Sequence, residues 1–205
     1  MGITERKERE KAERRRSILD AAREIIRSRP YEEITMEEIS SRLELSRATL
    51  YLYFKNKNEI YATLLAEGML ELERGYHDLL SRGVNDPIEK LRGLAFVFLQ
   101  FYAEHHSYFD LIVTKRGELL KDLSDETLEL FQDAGARVIK PLVDVYREGI
   151  STGDFPDRPP EKMAWLLRAV GIGLAVGFRE GNLVFPDDVA LMEDLIMYGL
   201  RGRAT

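Results

Sequence analysis

The chain has 205 residues, 44% of them apolar, and no cysteine, so a sizeable core is available while disulfides, thiol catalysis and thiolate metal sites are excluded. Its net charge is −6, but residues 1–60 hold 14 Lys+Arg against 12 Asp+Glu, leaving 16 and 24 for the remainder. A weakly basic head on an acidic body suits a protein that turns one end toward phosphates, and equally a helical protein whose charges decorate solvated faces.

From Thr4 to Arg16 the sequence is mostly alternating Glu, Lys and Arg without an apolar face, which reads either as a solvated tail or as a helical arm along a phosphate backbone. Ile18, Leu19, Ala22, Ile25 and Ile26 then follow helical spacing and predict an amphipathic helix that ends before Pro30. Thr35 and Glu38 have the spacing of a capping box, so a short helix starts at Met36, with Ile39 and Leu43 on one face and Leu45 sealing the turn. Ser46 is a second N-cap, opening a helix over Arg47 to Tyr53. A stripe from Tyr61 through Leu64, Leu65, Leu72 and Tyr76 to Leu80 predicts a helix of about seven turns.

Gly83 to Asp86 breaks that pattern and Pro87 is placed to begin the next helix, whose face is Ile88, Leu91, Ala95, Phe98, Leu99 and Tyr102, with Leu94 and Phe101 beside it. Tyr108, Phe109, Ile112 and Val113 predict a separate short helix closed near Gly117. Ser124 or Asp125 caps another, carrying Leu128, Phe131, Val138, Leu142, Val145 and Tyr146, in which Pro141 should make a kink. Residues 149–160 read as a loop, and two helices follow at about 161–181 and 187–201. No strand-like alternation and no repeat is present, so the fold class is all-α. No apolar run is long and uncharged enough to cross a bilayer and the charged N-terminus does not read as a secretory signal, so a cytoplasmic protein with no membrane partner is expected.

Two short capped helices separated by a four-residue turn are what a helix-turn-helix requires, the second offering its leading side chains to base edges in the major groove. Arg47 can fork onto guanine, and Thr49 can meet a thymine methyl or a base edge. Tyr51, Tyr53 and Lys57 are candidates for phosphate contact, Lys57 at a helix start whose N–H groups also attract anions. The plainer reading of the tyrosines is as core aromatics; two residues apart on a helix, they cannot share a face.

The run Ile18-Leu19-Asp20-Ala21-Ala22, then Thr35, Ile39, Leu45-Ser46 and Thr49-Leu50-Tyr51-Leu52-Tyr53-Phe54-Lys55-Asn56-Lys57, resembles the N-terminal domain of the tetracycline-repressor-like (TetR) family of bacterial transcriptional regulators. The resemblance is close over about the first sixty residues and extends to the rest only in length and helical character. It implies an N-terminal three-helix DNA-binding domain over residues 1–57 and a C-terminal helical ligand-binding and dimerisation domain over 58–205. It implies DNA contacts from Thr35, Ser46, Arg47, Ala48, Thr49, Tyr51, Tyr53 and Lys57, with Thr35 both a cap and a phosphate neighbour. Glu44 stands where the family usually has Gly, and a left-handed conformation there costs on the order of 1–2 kcal/mol. Ala48 replaces a common Gly or Pro, Ser40 a usual Ala, and Glu37 stands where several relatives are basic.

The aromatic cluster that includes Phe98, Phe101, Tyr102, Phe109 and Phe131 is core by default. In the resembled family such residues line a pocket, whose occupant here would be largely apolar, an acyl chain or an aromatic compound. Trp165, Leu166, Ala169, Val170, Gly173, Leu174 and Gly177, with Met192, Leu195 and Ile196, are expected to meet their symmetry mates in a homodimer, the alternative being an ordinary intramolecular core. Glycines four residues apart in a helix cost roughly 1 kcal/mol each relative to Ala, and close helix approach would explain them.

Two other motifs are weaker. Gly149-Ile150-Ser151-Thr152-Gly153 matches the G-x-S-x-G of hydrolase elbows, but a helix precedes it, and a helix-ending turn is the simpler reading. His106 and Asp110 are half of a metal site with no partner set to complete it. No catalytic group, metal or cofactor is therefore expected. The expected function is a ligand-responsive repressor released from its DNA operator by a small-molecule effector; the alternatives are a ligand-independent architectural DNA-binding protein of the same fold and, remotely, a helical hydrolase using Ser151.

Overall fold

The computed structural model describes the backbone of residues 2–184, 188, 191 and 194. Among the described residues seven α-helices succeed one another: α1 (Ile3–Ser28), α2 (Met36–Arg42), α3 (Arg47–Tyr51), α4 (Lys57–Leu80), α5 (Pro87–Leu119), α6 (Asp125–Thr152) and α7 (Pro160–Arg179). A 3-10 turn, Tyr31–Glu33, links α1 to α2, and no strand occurs among the described residues. The chain divides into two compact units, one of residues 1–68 with 106–133, the other of residues 69–105 with 134–205.

In the first unit the apolar stripe of α1 is buried as its spacing requires, Ile18 and Ala22 completely. Ile39 of α2, Leu50 of α3 and Phe54 join it, each burial contributing about 2 kcal/mol. Helix α1 packs on α2, and α2 on α3. The guanidinium of Arg15 lies 4.7 Å from the Phe54 ring centroid and covers the edge of this core. The N-terminal charged stretch is helical: α1 runs unbroken from Ile3, and residues 4–14 of it are all exposed.

The second unit buries Leu72 and Tyr76 of α4, Leu91, Leu94, Phe98, Phe101 and Tyr102 of α5, and Val138, Leu142, Val145 and Tyr146 of α6. The buried face of α5 is thus centred on Leu94 and Phe98; Ala95, expected on that face, is exposed. Arg137 holds the nearly buried Glu73 through Nη2 and Nε, at 2.7 and 3.1 Å.

Two sequence expectations are corrected. The separate helix over 108–113 does not exist, because α5 continues through it to Leu119; no glycine or proline interrupts the chain between Pro87 and that end except Gly93 and Gly117, and a single helical glycine costs only about 1 kcal/mol. Residues 149–152 are not loop but the last turn of α6, and Pro141 lies inside that same helix. The Ser151 hydroxyl donates to the Glu148 carbonyl at 2.7 Å. Gly153 takes φ 83° and reverses the chain, while the Asp154 N–H returns to the Gly149 carbonyl at 2.9 Å. Phe155 then stacks on Tyr146, ring centroids 5.2 Å apart, over Gly149. A Cβ at Gly149 would come within 2.0 Å of the Phe155 ring, so the first glycine of the motif serves packing and the last serves the turn.

Candidate nucleic-acid interface

The interface is built on two N-caps. The Thr35 hydroxyl accepts from the Glu38 N–H at 3.2 Å and starts α2. The reciprocal half of the predicted capping box is absent, because the Glu38 carboxylate pairs with Arg29 instead. The Ser46 hydroxyl oxygen accepts from the Thr49 N–H at 3.1 Å and lies 2.8 Å from the Thr49 hydroxyl. Between the helices Glu44 adopts φ 54°, the left-handed conformation its position in the turn demands. The Leu45 N–H reaches back to the Ser40 carbonyl at 2.9 Å, which completes the reversal.

This turn leaves Ser46, Arg47 and Ala48 exposed and Thr49 half-buried, while Leu50 points into the core. Tyr51 is 45% exposed and Leu52, which no sequence signal singles out, 78%; Tyr53 is half-buried. Arg47 is paired with Glu37 of α2, both side chains being more than half exposed. A hydrogen bond with Tyr51, and to a lesser degree the Glu37 charge, raise its pKa above the usual guanidinium range. Such an exposed pair is weak, so Glu37 is readily exchanged for a DNA acceptor.

Lys57 is arranged differently. Its ammonium donates to the carbonyls of Tyr31 at 2.9 Å and Ile34 at 3.2 Å and lies 4.0 Å from the Tyr31 ring centroid. Burial lowers its pKa, opposed by the Glu118 charge. Two of its three donors are thereby spent within the chain. Tyr31 packs edge-on against Tyr61, 4.7 Å away, and its hydroxyl bonds to Asn58.

The start of α4 also holds the corner between α5 and α6. Asn56 donates to the Asp122 carbonyl at 2.9 Å, and Asn58 to those of Glu118 and Lys121 at 3.1 and 3.2 Å. Asp122 joins Glu44 as a non-glycine residue with positive φ, 57°, and these side-chain bonds hold it there.

The proposed effector lining is divided between the units. In the second, Phe98 lies 6.3 Å from Tyr102, and Phe101 packs on His105 with centroids 4.4 Å apart. Phe131 belongs to the first, with the Arg116 guanidinium 5.8 Å from its ring centroid. The Phe109 side chain lies outside what is described. Of the expected dimer residues, Trp165, Leu166 and Val170 are 51, 59 and 40% exposed, and Ala169 and Gly173 are exposed beside them. Leu174 is half-buried, and Gly177 is explained within the chain, since a Cβ there would meet Leu183 at 2.7 Å. Met192, Leu195 and Ile196 lie outside the described residues. Among those described, no helix is long and apolar enough to cross a membrane.

Residues 18–64 match the model of the bacterial regulatory proteins, tetR family. The uncharacterized HTH-type transcriptional regulator YfiR of Bacillus subtilis is 22% identical over 196 residues, covering 88% of this chain and 85% of its own. The HTH-type transcriptional repressor KstR2 of Mycolicibacterium smegmatis is 26% identical over 148 residues, or 71% of this chain and 70% of that protein. Another regulator is matched over only 26% of its length. Among solved structures, the fatty acid degradation regulator FadR of Bacillus halodurans superposes with TM-score 0.72 at 19% identity, over 92% of this chain and 97% of that one. Residues 18–64 thus carry the helix-turn-helix of the bacterial regulatory proteins, tetR family, and the all-helical fold along the rest of the chain is the one that the FadR structure shows.

Proposed function

We propose that the protein is a homodimeric, sequence-specific repressor whose two α3 helices enter successive major grooves of a pseudo-palindromic operator. The observation that carries this reading is the Ser46-capped start of α3, which leaves Arg47 and Ala48 in solvent while Leu50 fastens the helix to the core. Arg47 and Thr49 read bases; Tyr51, Tyr53, Thr35 and the remaining donor of Lys57 take phosphates. The exposed stripe Trp165, Leu166, Ala169, Val170 and Gly173 on α7 supports the dimer, since an apolar strip of this kind is normally covered.

The effector is a largely apolar small molecule. The aromatic side chains of α5 and the printed name of FadR as a fatty acid degradation regulator support this choice. It acts by preferring the arrangement of α4 in which the two reading heads no longer fit the operator.

Selection from a pool of random duplexes tests the reading. A two-fold related site with half-sites about 34–36 Å apart is the expected product, and acyl or aromatic compounds should release it. Recovery of no sequence above the starting pool would overturn the specific-regulator reading; retention of the selected DNA across the whole compound panel would remove the effector from it.

A further inference from the structure

The exposed half of α1 poses a question that its own packing does not answer. Residues 4–14 are all exposed. They are stiffened by Arg6–Glu10 at 2.7 Å and Arg9–Glu13 at 3.6 Å, pairs that supply only about 0.3–0.5 kcal/mol each. Between this half-helix and the residues that follow α3 lies an open groove of about 750 Å³. One wall carries Lys7, Lys11 and Arg14; the other is Leu52 and Tyr53.

The charges in the groove are not balanced. Glu10 and Glu13 also border it, but each is engaged by an arginine of the same helix. Lys7, Lys11 and Arg14 have no carboxylate partner among the described residues, and their i, i+4, i+7 spacing aligns them on one stripe. A trough with a row of unpaired cations on one side and a tyrosine on the other fits a chain of evenly spaced anions. The stripe is about 10 Å long, a length over which one strand of a duplex advances by two to three phosphates.

We infer that this groove seats the phosphodiester backbone of the DNA flanking the bases read by α3, with Lys7, Lys11 and Arg14 as its cationic wall and Tyr53 opposite. The inference rests on the DNA-binding reading above and extends the binding surface of each head beyond the helix-turn-helix. Such phosphate contacts carry no sequence information; they add affinity, set register and steepen the salt dependence.

The test uses the full chain and its selected duplex. The triple variant Lys7→Gln, Lys11→Gln and Arg14→Gln keeps good helix formers at every site, and Lys162→Gln on the exposed start of α7 is the charge control. The slope of log K against log salt should become shallower by about 0.9 for each phosphate no longer neutralised, so by roughly 2–3 per head, while preference for the selected site over scrambled DNA stays unchanged. Ethylation of the flanking phosphates should interfere with binding of the parent and not of the triple variant. An unchanged slope in a variant that still binds would overturn the groove assignment and leave the regulator reading standing. A parent that binds no duplex at any salt concentration would remove both, and a slope change equal to that of Lys162→Gln would reduce the effect to bulk charge and overturn the inference.

Discussion

The carboxylate of Glu59, in the first turn of α4, accepts the backbone N–H of Ser124 at 2.8 Å, 65 residues further along the chain. Its second oxygen takes the Lys55 N–H at 2.6 Å, and the residue is buried. One side chain thereby joins the exit of the helix-turn-helix to the N-cap of α6. Burial alone pushes this carboxyl's pKa up, yet the hydrogen bonds from Lys55 and Ser124 outweigh it and hold the group below its ordinary value. A folded-state pKa below the unfolded one means stability that is complete above the ordinary carboxylate range and is lost as pH falls through the folded value. Glu59→Gln should therefore cost about 1–3 kcal/mol at neutral pH. Urea titrations at a fixed protein concentration should show the gap from the parent closing in acid, and a gap independent of pH would mean that the charge is idle.

Arg47 and Glu37 give opposite expectations for DNA. Arg47→Ala should lower discrimination at one base position by about 1–3 kcal/mol, whereas Glu37→Gln removes both a competitor for Arg47 and a negative charge from the reading face. The second change should tighten binding up to about fivefold, the equivalent of one exposed ion pair. Competition titrations with point-substituted duplexes measure both. Intact discrimination in Arg47→Ala would show that the base contact belongs to another residue.

At Glu44 the backbone rather than the side chain decides. A β-carbon in this left-handed position costs about 1–2 kcal/mol, and glycine returns part of the relief as unfolded-chain entropy, about 0.5–1 kcal/mol. Glu44→Gly is expected to stabilise the parent by about 0.5–1 kcal/mol, while Glu44→Ala should gain nothing of this kind. Thermal unfolding of the two variants side by side settles the sign.

Leu166 lies in the middle of the exposed stripe of α7. If that stripe is covered by a second copy, Leu166→Glu buries an unpaired charge in the interface and should shift sedimentation at micromolar concentration from dimer to monomer with helical content preserved. A parent that sediments as a monomer would exclude the dimer outright.

The local signals of the head are legible because each rests on a neighbour only a few residues away. Thr35 and Ser46 cap the helices they precede, Pro87 likewise opens α5, and Glu44 takes the backbone conformation that its turn demands. What the sequence hides is tertiary. Lys57 turns toward carbonyls more than twenty residues upstream, and Asn56, Asn58 and Glu59 find partners sixty or more downstream, distances at which periodicity carries no information. The false break in α5 has a different origin: the polar stretch Glu104-His105-His106-Ser107 interrupts the apolar sequence pattern without interrupting the backbone, so a change of composition imitates a helix boundary. The Gly149–Gly153 motif is a helix-ending turn, as its sequence context implies, but the helix ends later than composition suggests, because the stacking of Phe155 over Gly149 lets α6 keep its last turn.

The 2.8 Å approach between the hydroxyls of Ser46 and Thr49 also bears on which letters the operator can contain. One of the two hydroxyl protons is held in this contact, and the Thr49 methyl is left to meet the groove as a hydrocarbon. With α3 docked as proposed, the pair beneath it is chosen by whether it offers a methyl group, and uracil substituted for thymine at that one step would be discriminated against while every donor and acceptor stays the same.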